Sequence, residues 1–297
     1  MITKTIEALI SAALREDMPQ GDITSESLIP VKSLSRALLV AKAPGVLAGI
    51  EVARRVFRRL DPNTSFNVLV RDGERFQPGE VLAEIEGLSR ILLGGERTAL
   101  NFVQRMSGIA TTTRAYVDAI AGTKAKILDT RKTTPGLREL EKYAVRIGGG
   151  VNHRRNLSEM VLIKDNHLMI VGDIALAVAR ARKKMGRKVP VEVEVTNFSQ
   201  ARTAVAAGAD WVMLDNMTPS EMKRAVAWAK GRVKIEASGN VDLNSVRKIA
   251  SLGVDFISVG RLTHSYASVD LSLEFLGKPE HGVKRTRLSS AKRGVKS

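Results

Sequence analysis

A regular alternation of apolar segments and helical patterns, beginning near residue 124, constrains the fold of this chain more than any other feature. Six short apolar segments have the length and pattern of buried strands: AKILDT, EMVLIK, VPVEVEV, DWVMLD, VKIEAS and DFISVG. Helical patterns lie between them: LRELEKYAVRIGG, DIALAVARARKKM, FSQARTAVAAG, TPSEMKRAVAWAK and LNSVRKIASLG. Strands that alternate with helices at this spacing predict βα units and a parallel sheet that is covered on both faces.

Polar residues at the strand ends distinguish a barrel from an open sheet. In chain order they are Asp129 to Lys132, Lys164, Glu194, Asp215, Glu236 to Asn240, and Gly260 with Arg261. In an α/β barrel the C-terminal strand ends all meet at one opening, where the chemistry takes place. An open doubly wound sheet uses mainly the crevice where the strand order reverses. The pattern favours a barrel, and an incomplete one because only six strands are predicted.

The first hundred residues follow a different pattern. LSRALLVAKAPGVLAGI and SFNVLVRDGERFQPGEVLAEIEG alternate short apolar runs with Gly and Pro, which predicts short strands and tight turns in a small sheet domain. The N-terminal MITKTIEALISAALRED predicts an amphipathic helix and not a signal peptide, because it carries acids. GERTALNFVQRMSGIATTTRAYVDAIAG predicts a long helix. No apolar run is long enough to predict a membrane span.

The chain is strongly basic, with a formal net charge of +16. Such a charge favours anionic partners such as nucleic acid, an anionic membrane surface, or small phosphates and carboxylates. The last twenty residues carry seven Lys or Arg and one Glu, so removing their net +6 still leaves +10 on the rest. We predict that residues 281–297 form a solvated basic tail. The absence of cysteine excludes disulfides, thiolate zinc sites and cysteine nucleophiles, and it fits a cytoplasmic location.

The strand-end residues indicate a polyanionic ligand. Arg131, Lys132, Arg154 and Lys164 supply positive charges suited to carboxylates and phosphates. Carboxylates at Glu194 and Asp215 indicate a hard cation such as magnesium, shared with substrate phosphates. Backbone amides near Ser238, Gly239, Asn240 and Gly260 suit a phosphate.

Each of these residues also has a simpler explanation when it is considered alone. Arg131 and Lys132 could form a solvated loop, and Asp215 could cap a helix. Glu192 and Glu194 share one strand face, and either could pair with a neighbouring Lys. His153 could be an ordinary hydrogen-bonded loop residue. Coincidence becomes a poor explanation only when the polar residues at all six strand ends are considered together.

Several motifs are absent from the sequence. It contains no GxxxxGK[ST] phosphate loop, no GxGxxG after a strand, no GxSxG turn and no HExxH pair. P-loop nucleotide hydrolysis, a dinucleotide fold, serine hydrolysis and a zinc site therefore lose support.

Several long segments resemble the quinolinate phosphoribosyltransferase family, also called nicotinate-nucleotide pyrophosphorylase (carboxylating). They are DTRKTTPGLRELEKYAVRIGGGVNHR, LIKDNH, VEVEV, MLDN, EASGN and VGRLTHS, together with GDITSE and ERTALNFVQRMSGIAT. The resemblance covers roughly residues 5 to 276 in order. It implies an α/β fold with an N-terminal α/β sandwich domain over residues 1–108, joined by the segment 270–280. An incomplete TIM-like α/β barrel over residues 109–269 would be the catalytic domain.

The same resemblance implies an activity. The phosphoribosyl group of phosphoribosyl pyrophosphate is transferred to quinolinate with decarboxylation, giving nicotinate mononucleotide, pyrophosphate and CO2 in de novo NAD biosynthesis. It implies Mg2+ as cofactor and a homodimer in which each active site borrows a residue from the partner. No nucleic acid and no membrane are expected as partners.

The resemblance also assigns roles to individual residues. Quinolinate would be bound by Thr130, Arg131, Lys132, His153 and Arg154, and by Arg97 from the other subunit. Phosphoribosyl pyrophosphate would be bound by Lys164, Glu194 and Asp215, of which the two acids would also hold Mg2+, directly or through water. The 5′-phosphate would be bound by Ser238, Gly239, Asn240, Gly260 and Arg261. The sequence departs from the family at Arg155 and Asn156, where a smaller loop with Gly is common.

Two alternatives stay open at this point. A homologue of the same fold could act on another pyridine or base, although the set of carboxylate-binding cations favours a dicarboxylate. A basic nucleic-acid-binding protein is disfavoured because aromatic residues make up only 4% of the chain. The cations also gather at strand ends and do not form a stripe with stacking residues.

Overall fold

The computed structural model of the chain describes residues 2–276, which contain twelve strands and eleven helices. The strands are β1 (Leu34–Ala41), β2 (Gly45–Val46), β3 (Ser65–Val68), β4 (Arg75–Phe76), β5 (Val81–Leu88), β6 (Lys126–Leu128), β7 (Val161–Ile163), β8 (Val191–Val195), β9 (Trp211–Asp215), β10 (Lys234–Ser238), β11 (Phe256–Ser258) and β12 (Leu271–Phe275). The helices are α1 (Lys4–Asp17), α2 (Ile23–Leu28), α3 (Ile50–Leu60), α4 (Ser89–Ala119), α5 (Arg138–Ile147), α6 (Asp165–Val171), α7 (Ile174–Met185), α8 (Phe198–Ala206), α9 (Pro219–Ala229), α10 (Val246–Ser251) and α11 (Arg261–His264).

The N-terminal part is built on a four-stranded antiparallel sheet with the order β12-β1-β5-β3. Helices α3 and α4 pack together, and α4 also packs against β1, β5 and β12. Strand β12 comes from the end of the described chain and lies at the edge of this first sheet. The α/β architecture predicted for this part is confirmed.

Helix α3 was missed by the prediction of strands and turns in this region. Its sequence IEVARRVFRRL buries Ile50, Val52, Ala53, Val56 and Phe57, while four arginines lie among the remaining positions. Apolar residues three and four apart are the signature of an amphipathic helix. The signal was present in the sequence, but the glycines and prolines of the flanking segments concealed it.

The C-terminal part is a six-stranded parallel sheet with the order β6-β11-β10-β9-β8-β7. Each of these strands lies within one of the six predicted apolar segments. Strands β6 and β7 are at the two ends of the sheet and do not pair with each other; between them, the Val151 amide donates to the Ile127 carbonyl at 2.8 Å. The prediction of an incomplete barrel is therefore confirmed.

Strand β8 illustrates how the sequence directs side chains in this barrel. Val191, Val193 and Val195 alternate with Glu192 and Glu194, and all but Glu194 are buried. Because strand side chains alternate between faces, both glutamates lie on the same face. That face is the interior of the barrel, where Glu192 contacts the imidazole of His153.

Helix α4 connects the two parts of the molecule, since it also packs against β6. It runs for 31 residues without a break, so the predicted domain limit between residues 108 and 109 falls inside one helix. Gly108 lets α4 pack closely on the segment that leads into β12, because a Cβ atom there would lie 2.2 Å from the Ala267 carbonyl oxygen. The predicted domain limits stay predictions.

Within residues 2–276 no helix combines the length and apolar character that spanning a membrane requires. The cytoplasmic location stays a prediction. The predicted basic tail, residues 281–297, lies outside the described residues.

Candidate active site

A cavity of about 730 Å3 opens at the C-terminal ends of the six barrel strands. We call it the strand-end cavity. With the exception of Arg97, every residue predicted for the site lines it: Thr130, Arg131, Lys132, His153, Arg154, Lys164, Glu194, Asp215, Ser238, Gly239, Asn240, Gly260 and Arg261. The structure thus brings together residues that lie up to 131 positions apart, because parallel strands direct their C-terminal ends to one side.

The cations cluster where the sheet is open, between β6 and β7. Arg131 and Lys132 follow β6 and are exposed, while Arg154 is half-buried and donates from Nη1 to the Met160 carbonyl at 2.9 Å. Burial and the nearby Arg131 both lower the pKa of the Arg154 guanidinium, in that order of importance. Among the described residues, these three cations form no ion pair with an acid. Their charge is therefore available to an anionic ligand.

Two further arginines hold the loop that carries Arg131. The buried carboxylate of Glu141 accepts from Arg105 Nη2 at 2.5 Å and from the Thr134 amide at 3.1 Å. Arg138 donates to Thr133 Oγ1 at 2.9 Å and to the Arg155 carbonyl at 3.1 Å. The sequence analysis did not select these residues. For Arg138 and Glu141 the available signal was a helix that begins a few positions after the loop and carries both signs of charge; Arg105 lies on α4 and had no such signal.

A buried ion pair fixes the main chain at His153. Lys142 and Asp129 are 2% and 0% exposed, and Lys142 Nζ also donates to the His153 carbonyl at 3.0 Å. Asp129 in turn accepts from the His153 amide at 2.8 Å. Burial raises the pKa of Asp129 and lowers the pKa of Lys142, and each partner's charge opposes the shift in the other. Neither residue was predicted for the site.

At the base of the strand-end cavity, which Glu236 also lines, the imidazole of His153 contacts two buried glutamates. His153 Nε2 lies 2.8 Å from Glu192 Oε2 and 3.6 Å from Glu236 Oε2, and both carboxylate side chains are fully buried. Burial raises the pKa of Glu192 to about 7, and burial together with the charge of Glu192 raises the pKa of Glu236. Burial lowers the pKa of His153. The sequence analysis noted Glu192 only as a neighbour of Glu194 and did not select Glu236 for the site.

Lys164 and Glu194 form a pair on the wall of the strand-end cavity. Lys164 Nζ donates to Glu194 Oε2 at 3.0 Å. The backbone amide of Lys164 donates to Nδ1 of His167, so His167, which was left out of the predicted site, supports the loop and does not line the cavity. Asp215 lies at the end of the adjacent strand β9, where its Oδ2 accepts from Asn216 Nδ2 at 2.9 Å.

The loops after β9 and β10 interlock through residues with left-handed backbone. Asn216 has φ 51° and Asn240 has φ 49°, and Asn240 Nδ2 donates to Asn216 Oδ1 at 3.2 Å. Gly239 has φ 96°, and a Cβ atom there would lie 2.2 Å from Asn216 Oδ1. Only glycine fits this position without displacing Asn216. Asn216 itself lines the cavity and was not predicted.

Arg97 is exposed on α4 and does not line the strand-end cavity of its own chain. The prediction that it enters the partner's active site stays a prediction.

The incomplete barrel, its cation-lined cavity and the adjoining antiparallel sheet define an α/β-barrel enzyme that binds anionic substrates. Two family models match the chain: "Quinolinate phosphoribosyl transferase, N-terminal domain" over residues 22–107 and "Quinolinate phosphoribosyl transferase, C-terminal domain" over residues 109–274. The chain belongs to the quinolinate phosphoribosyltransferase family.

Named relatives and solved structures agree with this assignment. The chain is 44% identical over 269 residues to the probable nicotinate-nucleotide pyrophosphorylase [carboxylating] of Bacillus subtilis, covering 91% of this chain and 93% of the relative. It is 44% identical over 271 residues to the nicotinate-nucleotide pyrophosphorylase [carboxylating] of Mycobacterium leprae, covering 89% and 95%. The crystal structure of NadC from Streptococcus pyogenes superposes with a TM-score of 0.90 at 43% identity, covering 93% of this chain and 99% of that one.

Proposed function

We propose that this enzyme transfers the phosphoribosyl group of phosphoribosyl pyrophosphate to quinolinate and releases CO2, giving nicotinate mononucleotide and pyrophosphate for NAD biosynthesis. Family membership supports the reaction type. One observation carries the assignment to this cavity. Three cations without acid partners, Arg131, Lys132 and Arg154, occupy its β6–β7 side, whereas Glu194, Asp215, the buried Glu236 and two glycine-containing loops occupy its β8–β11 side. This division matches a dicarboxylate lying next to a phosphorylated sugar.

The β6–β7 side is the proposed quinolinate subsite. Quinolinate is a dianion at neutral pH, and the guanidinium groups of Arg131 and Arg154 can each grip a carboxylate with two parallel hydrogen bonds. Lys132 adds a point charge, and Thr130 and His153 add hydrogen-bonding groups at the same wall. A monocarboxylate would leave part of this charge unpaired, which favours the dicarboxylate over related pyridines.

The β8–β11 side is the proposed phosphoribosyl subsite. The backbone around Gly239 and Gly260 would receive the 5′-phosphate, with Ser238, Asn240 and Arg261 at its edge. Glu194 and Asp215 are carboxylates on neighbouring strands, a donor set suited to Mg2+ that is shared with substrate phosphates. When bound, the cation would neutralise charge on the departing pyrophosphate.

The chemistry requires no nucleophile from the protein. The lone pair of the pyridine nitrogen forms the new bond to ribose C1 while the bond from C1 to the pyrophosphate oxygen breaks, with oxocarbenium character developing at C1. Lys164 stabilises the negative charge of the leaving group, and Glu194 is placed near the sugar. Once the ring nitrogen is quaternary, the bond from C2 to its carboxylate breaks, CO2 leaves, and C2 takes a proton. The protein mainly orients the substrates and supplies the electric field.

The proposal also covers the oligomeric state of the enzyme. We infer a homodimer in which Arg97 of one subunit reaches the quinolinate subsite of its partner. The exposed position of Arg97 on α4, away from the cavity of its own chain, supports this arrangement.

The activity is tested by incubating the protein with quinolinate, phosphoribosyl pyrophosphate and Mg2+ and measuring nicotinate mononucleotide. Nicotinate in place of quinolinate is the control substrate and should give little product. Product from nicotinate but not from quinolinate would assign the enzyme to another pyridine. A titration with duplex DNA at increasing salt tests the nucleic-acid alternative, which a tight and salt-sensitive complex would support.

A further inference from the structure

We propose that Glu192 and Glu236 are positioning residues for the quinolinate subsite, which orient the His153 ring through its Nε2 atom and leave Nδ1 as the atom that faces the substrate. The inference deepens the proposed function and rests on it, because it assigns the partner of Nδ1 as a substrate carboxylate. The sequence analysis assigned neither glutamate a role in the site.

The geometry around Nε2 is the first support. Glu192 Oε2 is at hydrogen-bonding distance, 2.8 Å, and Glu236 Oε2 lies behind it at 3.6 Å. Ser258 donates its hydroxyl to Glu236 Oε1, which holds that carboxylate in place. The ring is also set edge-on against Trp211, with centroids 6.4 Å apart. The imidazole is therefore held at Nε2 by the two glutamates and along the ring by its contact with the Trp211 indole.

The charges give the second support. Burying two carboxyl groups beside a site for a dianion costs free energy, and any negative charge on them repels the substrate. No lysine or arginine nitrogen within residues 2–276 comes within 4.0 Å of either one, so His153 is their ion-pairing partner there. Glu192 Oε1 and Glu236 Oε2 have no hydrogen-bond partner at all in the described structure. Apolar side chains at these two positions would stabilise the barrel more than buried acids do. The two glutamates therefore indicate a functional role.

The tautomer follows from the hydrogen-bond partners. A carboxylate that accepts from one imidazole nitrogen keeps the proton on that nitrogen and fixes the ring orientation, as the aspartate does in a Ser-His-Asp triad. Here Nε2 would carry the proton. Nδ1 makes no hydrogen bond within residues 2–276, and His153 lines the strand-end cavity. A dianion at Nδ1 favours a second proton on the ring, so that the imidazolium lies between Glu192 and the substrate and donates to both.

One strand then serves both subsites. Glu192 and Glu194 are successive inward side chains of β8; Glu192 reaches His153 and Glu194 reaches Lys164. Replacing Glu192 should therefore change quinolinate binding without changing the binding of phosphoribosyl pyrophosphate, although only one residue separates it from Glu194.

The kinetic test compares Glu192→Gln and Glu236→Gln with Glu80→Gln, a matched control at an exposed position outside the cavity. We expect the KM for quinolinate to rise about tenfold in the first two variants, the scale of one lost charge-assisted hydrogen bond, with the KM for phosphoribosyl pyrophosphate unchanged. Glu236→Asp should recover part of the loss. An equal rise in both KM values would indicate a structural role only and overturn the proposal.

The spectroscopic test does not depend on activity, so it separates this proposal from the proposed function. The chain has four histidines, and nitrogen-15 spectra of the labelled, unliganded protein at neutral pH, assigned with His153→Asn, report the tautomer of each. We expect a protonated Nε2 and an unprotonated Nδ1 at His153, and a mixture of tautomers in Glu192→Gln. A proton on Nδ1 in the free wild-type protein would overturn the proposal.

Metal analysis provides the remaining check, because His153, Glu192 and Glu236 also lie close enough to share a cation. We expect no stoichiometric transition metal in the purified protein. One tightly bound zinc ion per chain, lost in Glu236→Gln, would make Nε2 a metal ligand and contradict the assignment.

Discussion

Lys164 Nζ lies 3.0 Å from Glu194 Oε2, and this pair stands where the proposed quinolinate and phosphoribosyl subsites meet. Lys164 follows β7 beside the cluster of cations, whereas Glu194 ends β8 beside Asp215. The lysine is 44% exposed, so solvent screens its attraction to Glu194 and the pair contributes little to stability. In the proposed mechanism this pair instead keeps a cation next to the position of the departing pyrophosphate.

Lys164→Ala should therefore lower kcat far more than it lowers stability. Removing a preorganised electrostatic stabiliser typically costs about 100- to 1,000-fold in kcat, and we expect a loss in that range. The melting temperature should stay within a few degrees of wild type, because an exposed pair contributes about 0–1 kcal/mol. Steady-state kinetics measure the change in kcat, and a thermal melt measures the change in melting temperature. A kcat within about threefold of wild type would exclude the role assigned to Lys164.

Arg131→Ala should abolish turnover mainly through lost quinolinate binding. The Arg131 guanidinium has no acid partner among residues 2–276, so its removal leaves no buried charge behind and the fold should be retained. Isothermal titration with quinolinate alone should show the loss of affinity directly. Arg202→Ala, at an exposed position of α8, is the matched control and should bind normally. Near-normal activity of Arg131→Ala would contradict the subsite.

Glu192→Gln should change how stability depends on pH. The pKa of Glu192 is raised in the folded protein from 4.5 to about 7, chiefly by burial, with Glu194 adding to the shift and Glu236, Arg154 and Lys164 opposing it. Between these two pH values the folded state keeps a proton that the unfolded chain loses. The contribution of Glu192 to the free energy of unfolding is therefore fully present below pH 4.5 and disappears as the pH rises through about 7. Because glutamine does not titrate, the free energy of unfolding of the variant should rise relative to that of the wild type by up to about 3 kcal/mol as the pH increases over this range.

Urea unfolding of both proteins at several pH values measures this gain. A variant that is more stable above neutral pH yet binds quinolinate more weakly would identify a group kept for function at a cost in stability. Parallel stability curves for wild type and variant would show that Glu192 does not carry a raised pKa.

Arg97→Ala and Arg131→Ala should complement each other if the active site is shared between subunits. Each homodimer would be inactive, but a mixed dimer would combine an intact Arg131 in one barrel with Arg97 from the other chain. Random assembly yields half mixed dimers with one working site each, so co-expression should restore about a quarter of wild-type activity. Co-expressed protein with no more activity than the two separate homodimers would show that Arg97 does not serve the partner's active site.

The barrel and its cavity could be predicted from the sequence because both depend on local patterns. Segments such as VPVEVEV and DWVMLD are apolar, short and bounded by helical patterns, and each carries a polar residue at or next to its C-terminal end. Parallel strands bring those ends together whatever the details of packing. The chemistry at the six strand ends was therefore predictable without any knowledge of side-chain contacts.

The support beneath the site was not predictable, because it depends on contacts between distant segments. His153 and Glu192 are 39 residues apart, and nothing in VEVEV shows that its first glutamate faces an imidazole while its second faces a lysine. Lys142 sits in a helical pattern that looks amphipathic and solvent-exposed, yet it is buried against Asp129. A charged residue is expected at the surface until its partner is known.

Formation of nicotinate mononucleotide and release of CO2 from quinolinate, labelled in the carboxylate at C2, test the central claim most directly. With phosphoribosyl pyrophosphate and Mg2+ present, the account predicts equal amounts of nucleotide, pyrophosphate and labelled CO2, and none of the three without phosphoribosyl pyrophosphate. Absence of labelled CO2 while quinolinate and phosphoribosyl pyrophosphate are both bound would contradict it.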